Sequence, residues 1–275
     1  MGALDLFRKI KACAICMQKN EGRLLQAWTL HHSNIFDAEN VYILDNQSDD
    51  HNTKSVLEWA ESCGVNVLRG FDNFEFKGIE VSNLIQKING QYDWFLPLDA
   101  DEFVGVYKSG LFSMDRQDIL HELRFSDPSK IIRMSNYVWS IPNSLMGYYT
   151  EARKTVIPRD LNIRLDIGFH LYSWDPACPG DTVASELFQK SSLCFAHIHN
   201  KPYDELIRSA KLKLEKRVAS FDRETLVNYK GAGNHLIKYF LMTRDEYESS
   251  FPQGKIPLGK AFFDAGLSLP FSLAS

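Results

Sequence analysis

Between Lys11 and Ala100, four short apolar runs alternate with three stretches of helical spacing, and this alternation constrains the fold more than any other feature of the chain. The runs are "KACAICMQ", "NVYILDN", "VNVLRG" and "DWFLPLDA". Between them stand "EGRLLQAWTLHHSNIF", with Leu25, Trp28, His32 and Ile35 at helical spacing, then "NTKSVLEWAESCG" closed by Gly64 and "KGIEVSNLIQKING" closed by Gly90. Strands alternating with helices of about ten to fifteen residues predict right-handed βαβ units and a mostly parallel sheet covered on both faces. In such sheets ligands bind beyond the carboxyl ends of the strands.

Those ends are where the polar residues collect. Strand one ends in Gln18, Lys19, Asn20 and Glu21, strand two in Asp45 to Asp50, and strand four in Asp99-Ala100-Asp101 followed by Glu102. An apolar strand that ends in carboxylates has to pair them, hydrogen-bond them or give them to a metal, because bare desolvation is costly. Residues two apart share one side of an extended strand, so Asp99 and Asp101 are expected together, with Glu102 facing away. Two carboxylates on one side suit Mg²⁺ or Mn²⁺. His197 and His199 in "FAHIHN" alternate in the same way and offer imidazole nitrogen to complete such a site.

Beyond residue 104 the alternation loosens. "QDILHELRF" reads as a helix, "KIIRMSNYVWS" and "SLCFAHIHN" read as strands, and Ile141 to Gly180 is expected to be irregular and rich in aromatics, Pro and Gly. From Pro202 to about Ser250 the spacing turns helical, "PYDELIRSAKLKLEKRVASF" being the clearest piece. The reading is one domain over residues 1–275: a ligand-binding half over about 11–104, a second half over about 105–200 and a helical C-terminal part over about 201–275.

Several classes drop out. A net charge of −4 carries no electrostatic footprint for nucleic acid. No apolar run reaches the ~18 residues of a membrane span. Neither G-x-G-x-x-G nor a Walker A pattern occurs, which argues against a dinucleotide-dependent dehydrogenase and a P-loop enzyme. The five cysteines, Cys13, Cys16, Cys63, Cys178 and Cys194, are odd in number and scattered. "CAIC" places two of them on opposite faces of a strand, so a reduced, cytoplasmic protein is expected rather than a disulfide framework or a zinc site. The tail "FFDAGLSLPFSLAS" is expected to pack on its own domain, a peripheral contact with the inner membrane being the alternative.

Taken together, "ICMQKNEGRLLQAWTLHH", "VYILDNQSDDHN", "DWFLPLDADEF" and "AHIHNKPYDELIRSAK" resemble the GT-A glycosyltransferases, nearest to the branches grouped with family 2 and family 92. In that group a K-N-E…H segment, a D-N-x-S-x-D segment, a D-x-D-E-F and a late H-Y-x-x-K-S recur in this order. "KTVIPR" and the later "GFH" also resemble a K-x-I-x-R-P…G-x-H block of the group. The resemblance spans roughly residues 11 to 215 and implies a Rossmann-like three-layer α/β sandwich.

It further implies that Lys19, Asn20 and Glu21 line a nucleotide pocket and that Asp45, Asn46, Ser48 and Asp50 flank the base and ribose. Asp99 would lie near the ribose or the metal, and Asp101 would ligate the metal directly. His197 would be the remaining protein ligand, with His199 second. Ile198 and Pro202 depart from the group's tyrosine and serine, whereas Lys201 matches and would meet a phosphate oxygen.

The implied reaction is metal-dependent transfer of a sugar from a nucleoside-diphosphate donor, UDP foremost, to a hydroxyl of a saccharide or glycolipid, with inversion. Bacterial surface polysaccharide or lipopolysaccharide synthesis is the implied setting. The base is expected among Glu151, Asp166, Asp175, Asp181 and Glu186, Asp175 beside Trp174 being preferred, with His170 of "GFH" as a further catalytic candidate. Trp139 and Trp174 stand out among Tyr137, Tyr148, Tyr149 and Tyr172 as rings on which an acceptor sugar could pack. The rival readings are nucleotidyl transfer, a glycoside hydrolase using Asp99 and Glu102, and a non-catalytic sugar-binding module.

Overall fold

Strand β1 (Ala12–Gln18) shows why the alternating runs become a layered structure. Its odd and even residues are all buried but belong to different cores: Ala12, Ala14 and Cys16 to one, Cys13, Ile15 and Met17 to the other. A strand covered on both faces reads as a continuous apolar run, as "ACAICMQ" does. Cys13 and Cys16 therefore point to opposite sides of the sheet, and burial pushes both thiols well above their ordinary pKa. They form neither a redox pair nor a metal pair.

The fold is described by a computed structural model over residues 10–171, 180–215, 217–231 and 233–271. Four parallel strands make its first half: β1, β2 (Val41–Asp45), β3 (Asn66–Leu68) and β4 (Trp94–Pro97), in the order β3-β2-β1-β4. Helices α1 (Gly22–Phe36) and α2 (His51–Ser62) cover one face, burying Leu24, Leu25, Trp28, Val56, Leu57 and Ala60. Helix α3 (Lys77–Ile88) covers the other through Val81, Leu84, Ile85 and Ile88. The expected βαβ half is present, with boundaries within two or three residues of those read from the spacing.

The second half holds the helix expected at "QDILHELRF" and the strands expected at "KIIRMSNYVWS" and "SLCFAHIHN", and departs from the expectation elsewhere. The chain turns at Leu98–Asp101 and re-enters the sheet as β5 (Glu102–Lys108), hairpinned to β6 (Leu111–Ser113). After α4 (Arg116–Phe125) come β7 (Ile131–Ser140), β8 (Gly147–Pro158), β9 (Phe188–Lys190) and β10 (Leu193–His197). The sheet continues from β4 as β8-β7-β10-β5-β6, with β9 on β7. Strand β8 is the shared member: Ile157 and Pro158 pair antiparallel with β4, while Gly147 to Val156 pair antiparallel with β7. So the region expected to be irregular from Ile141 to Gly180 holds a twelve-residue strand, and the sheet is mixed.

The C-terminal part begins with α5 (Tyr203–Leu214), α6 (Arg223–Asn228), α7 (Ile237–Leu241) and α8 (Arg244–Ser249). Ala210, Leu214, Leu226, Leu236 and Ile237 make a small core of their own. Helix α9 (Leu258–Asp264) returns to the main core through Leu258, Ala261 and Phe262, and Leu267 and Leu269 follow it inward. The tail as far as Phe271 thus packs on its own chain as expected, leaving Phe263 exposed, and residues 272–275 lie outside the described residues. Among the described residues, no helix is long and apolar enough to cross a membrane.

Helix α3 fits tightly against the loop after β8. A Cβ on Gly78 would lie 2.2 Å from the Leu165 carbonyl oxygen and 2.6 Å from that of Asp166. Backbone cannot retreat as a side-chain end can, so Gly78→Ala is expected to cost about 1–3 kcal/mol of stability, read from urea unfolding.

Candidate functional site

The parallel strands deliver a polar cradle at their carboxyl edge. Gln18 and Asp45 are register partners at the ends of β1 and β2. Gln18 Nε2 donates to Asp45 Oδ1 at 2.8 Å and to Ser48 Oγ at 3.2 Å, and the Ser48 hydroxyl donates to Asp45 Oδ1 at 2.6 Å. The Asn20 amide donates to Ser48 Oγ, and its side chain clasps Asp49 through an Nδ2–Oδ1 bond of 2.6 Å and an Oδ1 acceptor 2.9 Å from the Asp49 amide. Asn20 and Gln47 take positive φ of 59° and 56° to make these turns. Asp50 caps α2 by accepting from the Thr53 amide at 2.8 Å.

Of the residues expected here, Asp45, Asn46 and Ser48 are buried, and Lys19 and Asn20 are exposed. The Asn46 Oδ1 atom is buried without a partner among the described residues. Glu21 approaches Lys201 to 3.8 Å. Burial raises the Glu21 pKa, and the Lys201 ammonium pulls it partly back.

The D-x-D segment does not stay extended. It is a turn in which the Glu102 amide donates to the Asp99 carbonyl at 3.0 Å and the Asp99 amide donates to Glu102 Oε2 at 2.8 Å. The two aspartates consequently face different partners, and Glu102, expected to face away, closes the turn from within. Asp99 is held by Lys77 and by Lys154, whose Nζ lies 3.0 Å from Oδ2. Lys154 also reaches Glu102 Oε2 at 2.7 Å, with both side chains almost fully buried.

Burial opposes every charge in this group, yet Lys154 and then Lys77 hold the Asp99 carboxyl well below its usual range. Lys154 is likewise held above its own by Asp99 and Glu102. Burial pushes Glu102 up, Lys154 counteracting. Lys77 and Lys154 carry this electrostatics and were missed by the sequence reading. The available signal was Lys154 in "KTVIPR", an ammonium placed inside a buried run.

Asp101 instead turns toward β10. The Ile198 amide donates to its carbonyl at 2.8 Å, His197 Nε2 lies 3.3 Å from Oδ2 and His199 Nδ1 3.8 Å from the same atom. One donor atom from each of the three side chains falls within 4.8 Å of the other two. One carboxylate with two imidazoles is a donor set that suits Mn²⁺-like ions. Trp139, on β7 opposite His197, lies with its ring centroid 5.8 Å from both imidazoles, edge-on to His197 and tilted to His199. Its Nε1 and His197 Nδ1 are both buried without partners among the described residues.

Among the described candidate bases, the contacts are with other groups. Asp166 is buried and accepts from the His170 and Leu171 amides at 2.7 Å each, while His170 pairs with it at 3.3 Å. Asp181 accepts from the Arg164 amide at 2.7 Å. Glu151 is exposed on β8, and Glu186 is exposed. Tyr172, Trp174, Asp175 and Cys178 lie outside the described residues.

No family model matches the sequence, and no curated protein does. Among solved structures the chain is similar to the mannosyltransferase PcManGT from Pyrobaculum calidifontis in complex with GDP-Man and Mn²⁺. That match has 11% identity and a TM-score of 0.40, over 96% of this chain and 78% of that one. It is similar to residues 1-349 of S. aureus TarS at 11% identity and TM-score 0.39, covering 84% and 71%. It is also similar to a cytidylyltransferase from Leptospira borgpetersenii serovar Hardjo-bovis at 12% identity and TM-score 0.33. The last match covers 54% of this chain and spans 60% of the cytidylyltransferase chain.

With no cation bound, the His197 pKa is raised: burial lowers it, but the Asp101 carboxylate outweighs burial. A cation using His197 Nε2 must displace that proton. Mn²⁺ affinity is therefore expected to fall as pH drops through the raised value, by roughly tenfold per unit for one displaced proton, in calorimetric titrations from about pH 8 to about pH 6.

Proposed function

We propose that this chain is a metal-dependent glycosyltransferase of the GT-A type, transferring a sugar from a nucleoside-diphosphate donor to a saccharide hydroxyl. The observation that carries the proposal is the convergence of Asp101, His197 and His199 at the carboxyl edge of the sheet. It shares that edge with the Gln18–Asp45–Ser48 cradle. A nucleoside diphosphate needs both: a polar cradle for its nucleoside end and a cationic clamp for its phosphates.

In this reading Asp45, Asn46 and Ser48 orient the nucleoside, and the unpartnered Asn46 Oδ1 is available to a base N–H. Asp101, His197 and His199 hold a divalent cation, Mn²⁺ or Mg²⁺, which when bound supplies Lewis-acid stabilisation of a diphosphate leaving group. Lys201, largely buried beside Glu21, turns its ammonium to a phosphate oxygen. Trp139 offers its face to the acceptor, and a carboxylate on the acceptor side removes the hydroxyl proton, giving inversion. Asp175, Glu151 and Asp181, with His170, are the candidates for that step. UDP is the nucleotide to try first, and surface polysaccharide or lipopolysaccharide synthesis is the setting proposed.

The hydrolase reading loses its acids in this geometry. Asp99 and Glu102 both bond Lys154, and Glu102 is only 3% exposed, so the two cannot straddle one glycosidic bond.

Thermal unfolding tests the proposal with UDP, GDP, CDP and ADP, each with and without Mn²⁺, on wild type and Asp101→Asn. A nucleotide at ~100 times its Kd adds about 2.7 kcal/mol, a midpoint rise of roughly 5 °C for a chain of this size. The expected result is a rise with one nucleotide that requires Mn²⁺ and disappears in Asp101→Asn. No rise with any nucleotide, with or without Mn²⁺, would sink the donor site. A Mn²⁺-dependent rise without sugar transfer or donor hydrolysis would leave a binding module.

A further inference from the structure

The turn from Leu98 to Asp101 carries the chain from one half of the sheet to the other, since β4 ends at Pro97 and β5 begins at Glu102 four strands away. Its backbone is held to β1 by the Leu98 amide on the Ile15 carbonyl at 2.9 Å and to β10 by the Ile198 amide on the Asp101 carbonyl at 2.8 Å, while the bonds within the turn join only its two ends. The side-chain anchor comes from β8, the strand that belongs to both halves. Its Lys154 ammonium lies 3.0 Å from Asp99 Oδ2 and 2.7 Å from Glu102 Oε2, so one cation grips the turn on either side of Asp101.

The surroundings make the grip specific. Lys154 is 1% exposed, with the Phe169 and Phe195 rings 5.0 and 6.0 Å from its nitrogen. Water is poorly placed to substitute for its two carboxylates. Glu102 is fixed in turn by the Asp99 amide and by its register opposite His197 on β10. With Lys77 on the other oxygen of Asp99, two lysines balance two carboxylates. Asp99 is thereby committed to lysines, and Asp101 alone of the D-x-D carboxylates projects to His197 and His199.

Resting on the proposed metal-dependent reading, we infer that Lys154 is a positioning residue for the cation site. By tying Asp99 and Glu102 together beneath the turn, it sets the placement of the Asp101 carboxylate against the two imidazoles. Lys154 touches neither substrate nor cation. Its effect on the site passes through Glu102 and Asp99. Groups that orient metal ligands in this way typically change affinity by about 10–100-fold when removed.

The test separates positioning from mere stability. Lys154→Met leaves two buried carboxylates facing a single lysine and can fail to fold. The double variant Lys154→Met/Glu102→Gln removes one charge of each sign and keeps the Lys77–Asp99 pair. Leu123→Ala, in the core under α4 and outside this group, supplies a destabilised control.

Mn²⁺ binding is measured by electron paramagnetic resonance of the free ion, with the melting midpoint recorded for each protein. The expected result is that the double variant binds Mn²⁺ at least ~10-fold more weakly than wild type. Leu123→Ala is expected to bind as wild type does, despite a lowered midpoint. Wild-type affinity in the folded double variant would overturn the inference while leaving the metal site standing. Equal weakening in Leu123→Ala would overturn it in favour of a general stability effect. A folded wild type that takes up no Mn²⁺ would overturn the metal reading and this inference with it.

Discussion

The contact of the Lys154 ammonium with Asp99 and Glu102 is the constraint on which the rest of the structure depends. Breaking a buried ion pair by removing one partner typically costs about 3–5 kcal/mol, because the remaining charge has lost its compensation. Here the pair sits where the sheet has its one awkward join. The parallel half ends at β4, the antiparallel hairpin begins at β5, and only β8 pairs with strands on both sides of that gap. The cation that holds the join comes from that same strand.

This arrangement divides the labour among three acids that look alike on paper. Glu102 closes the turn from inside and bonds Lys154. Asp99 is half-turned to solvent but electrically committed to Lys77 and Lys154. Asp101 is left with two imidazoles, whose ring nitrogens are of the kind that ligate divalent cations. The spacing D-x-D is thus less a pair of equivalent ligands than a turn with one face anchored and one face offered. Chelation by both aspartates would require Asp99 to abandon a lysine in a site with little water to replace it.

How much of this was legible follows from what burial does to a pattern. The β1–β4 half could be read from the spacing because helices cover both faces of its strands, leaving unbroken apolar runs. The strand-end residues were readable for the same reason: once the strands are located, "MQKN", "LDNQS" and "LDADE" mark their ends. In the second half only α4, β7 and β10 were readable in this way. Strand β8 carries Lys154 at a buried position and β5 begins with buried Glu102, so two members of the core look like surface. Periodicity weighs a lysine as solvent-facing, and only a partner distant in sequence makes it interior. The Lys154–Asp99 and Lys154–Glu102 contacts span about fifty residues, and no local signal encodes them. His197 and His199 were found because their alternation survives at a strand end, although His199 lies just past the strand itself.

The polar atoms left without partners show how the same edge is prepared for a ligand. Gln18, Asp45 and Ser48 satisfy one another, so the floor of the cradle is rigid in the free protein. Elsewhere along that edge, Asn46 Oδ1, His197 Nδ1 and Trp139 Nε1 are buried without partners among the described residues. Each such atom forgoes on the order of 1–3 kcal/mol of hydrogen bonding that a core would normally secure. Trp28 Nε1 and His32 Nε2 are also unpaired, but they lie within the apolar layer under α1, where burying the rings compensates. A satisfied floor with an unsatisfied rim is the arrangement expected of a site whose remaining hydrogen bonds are made to something that arrives from outside.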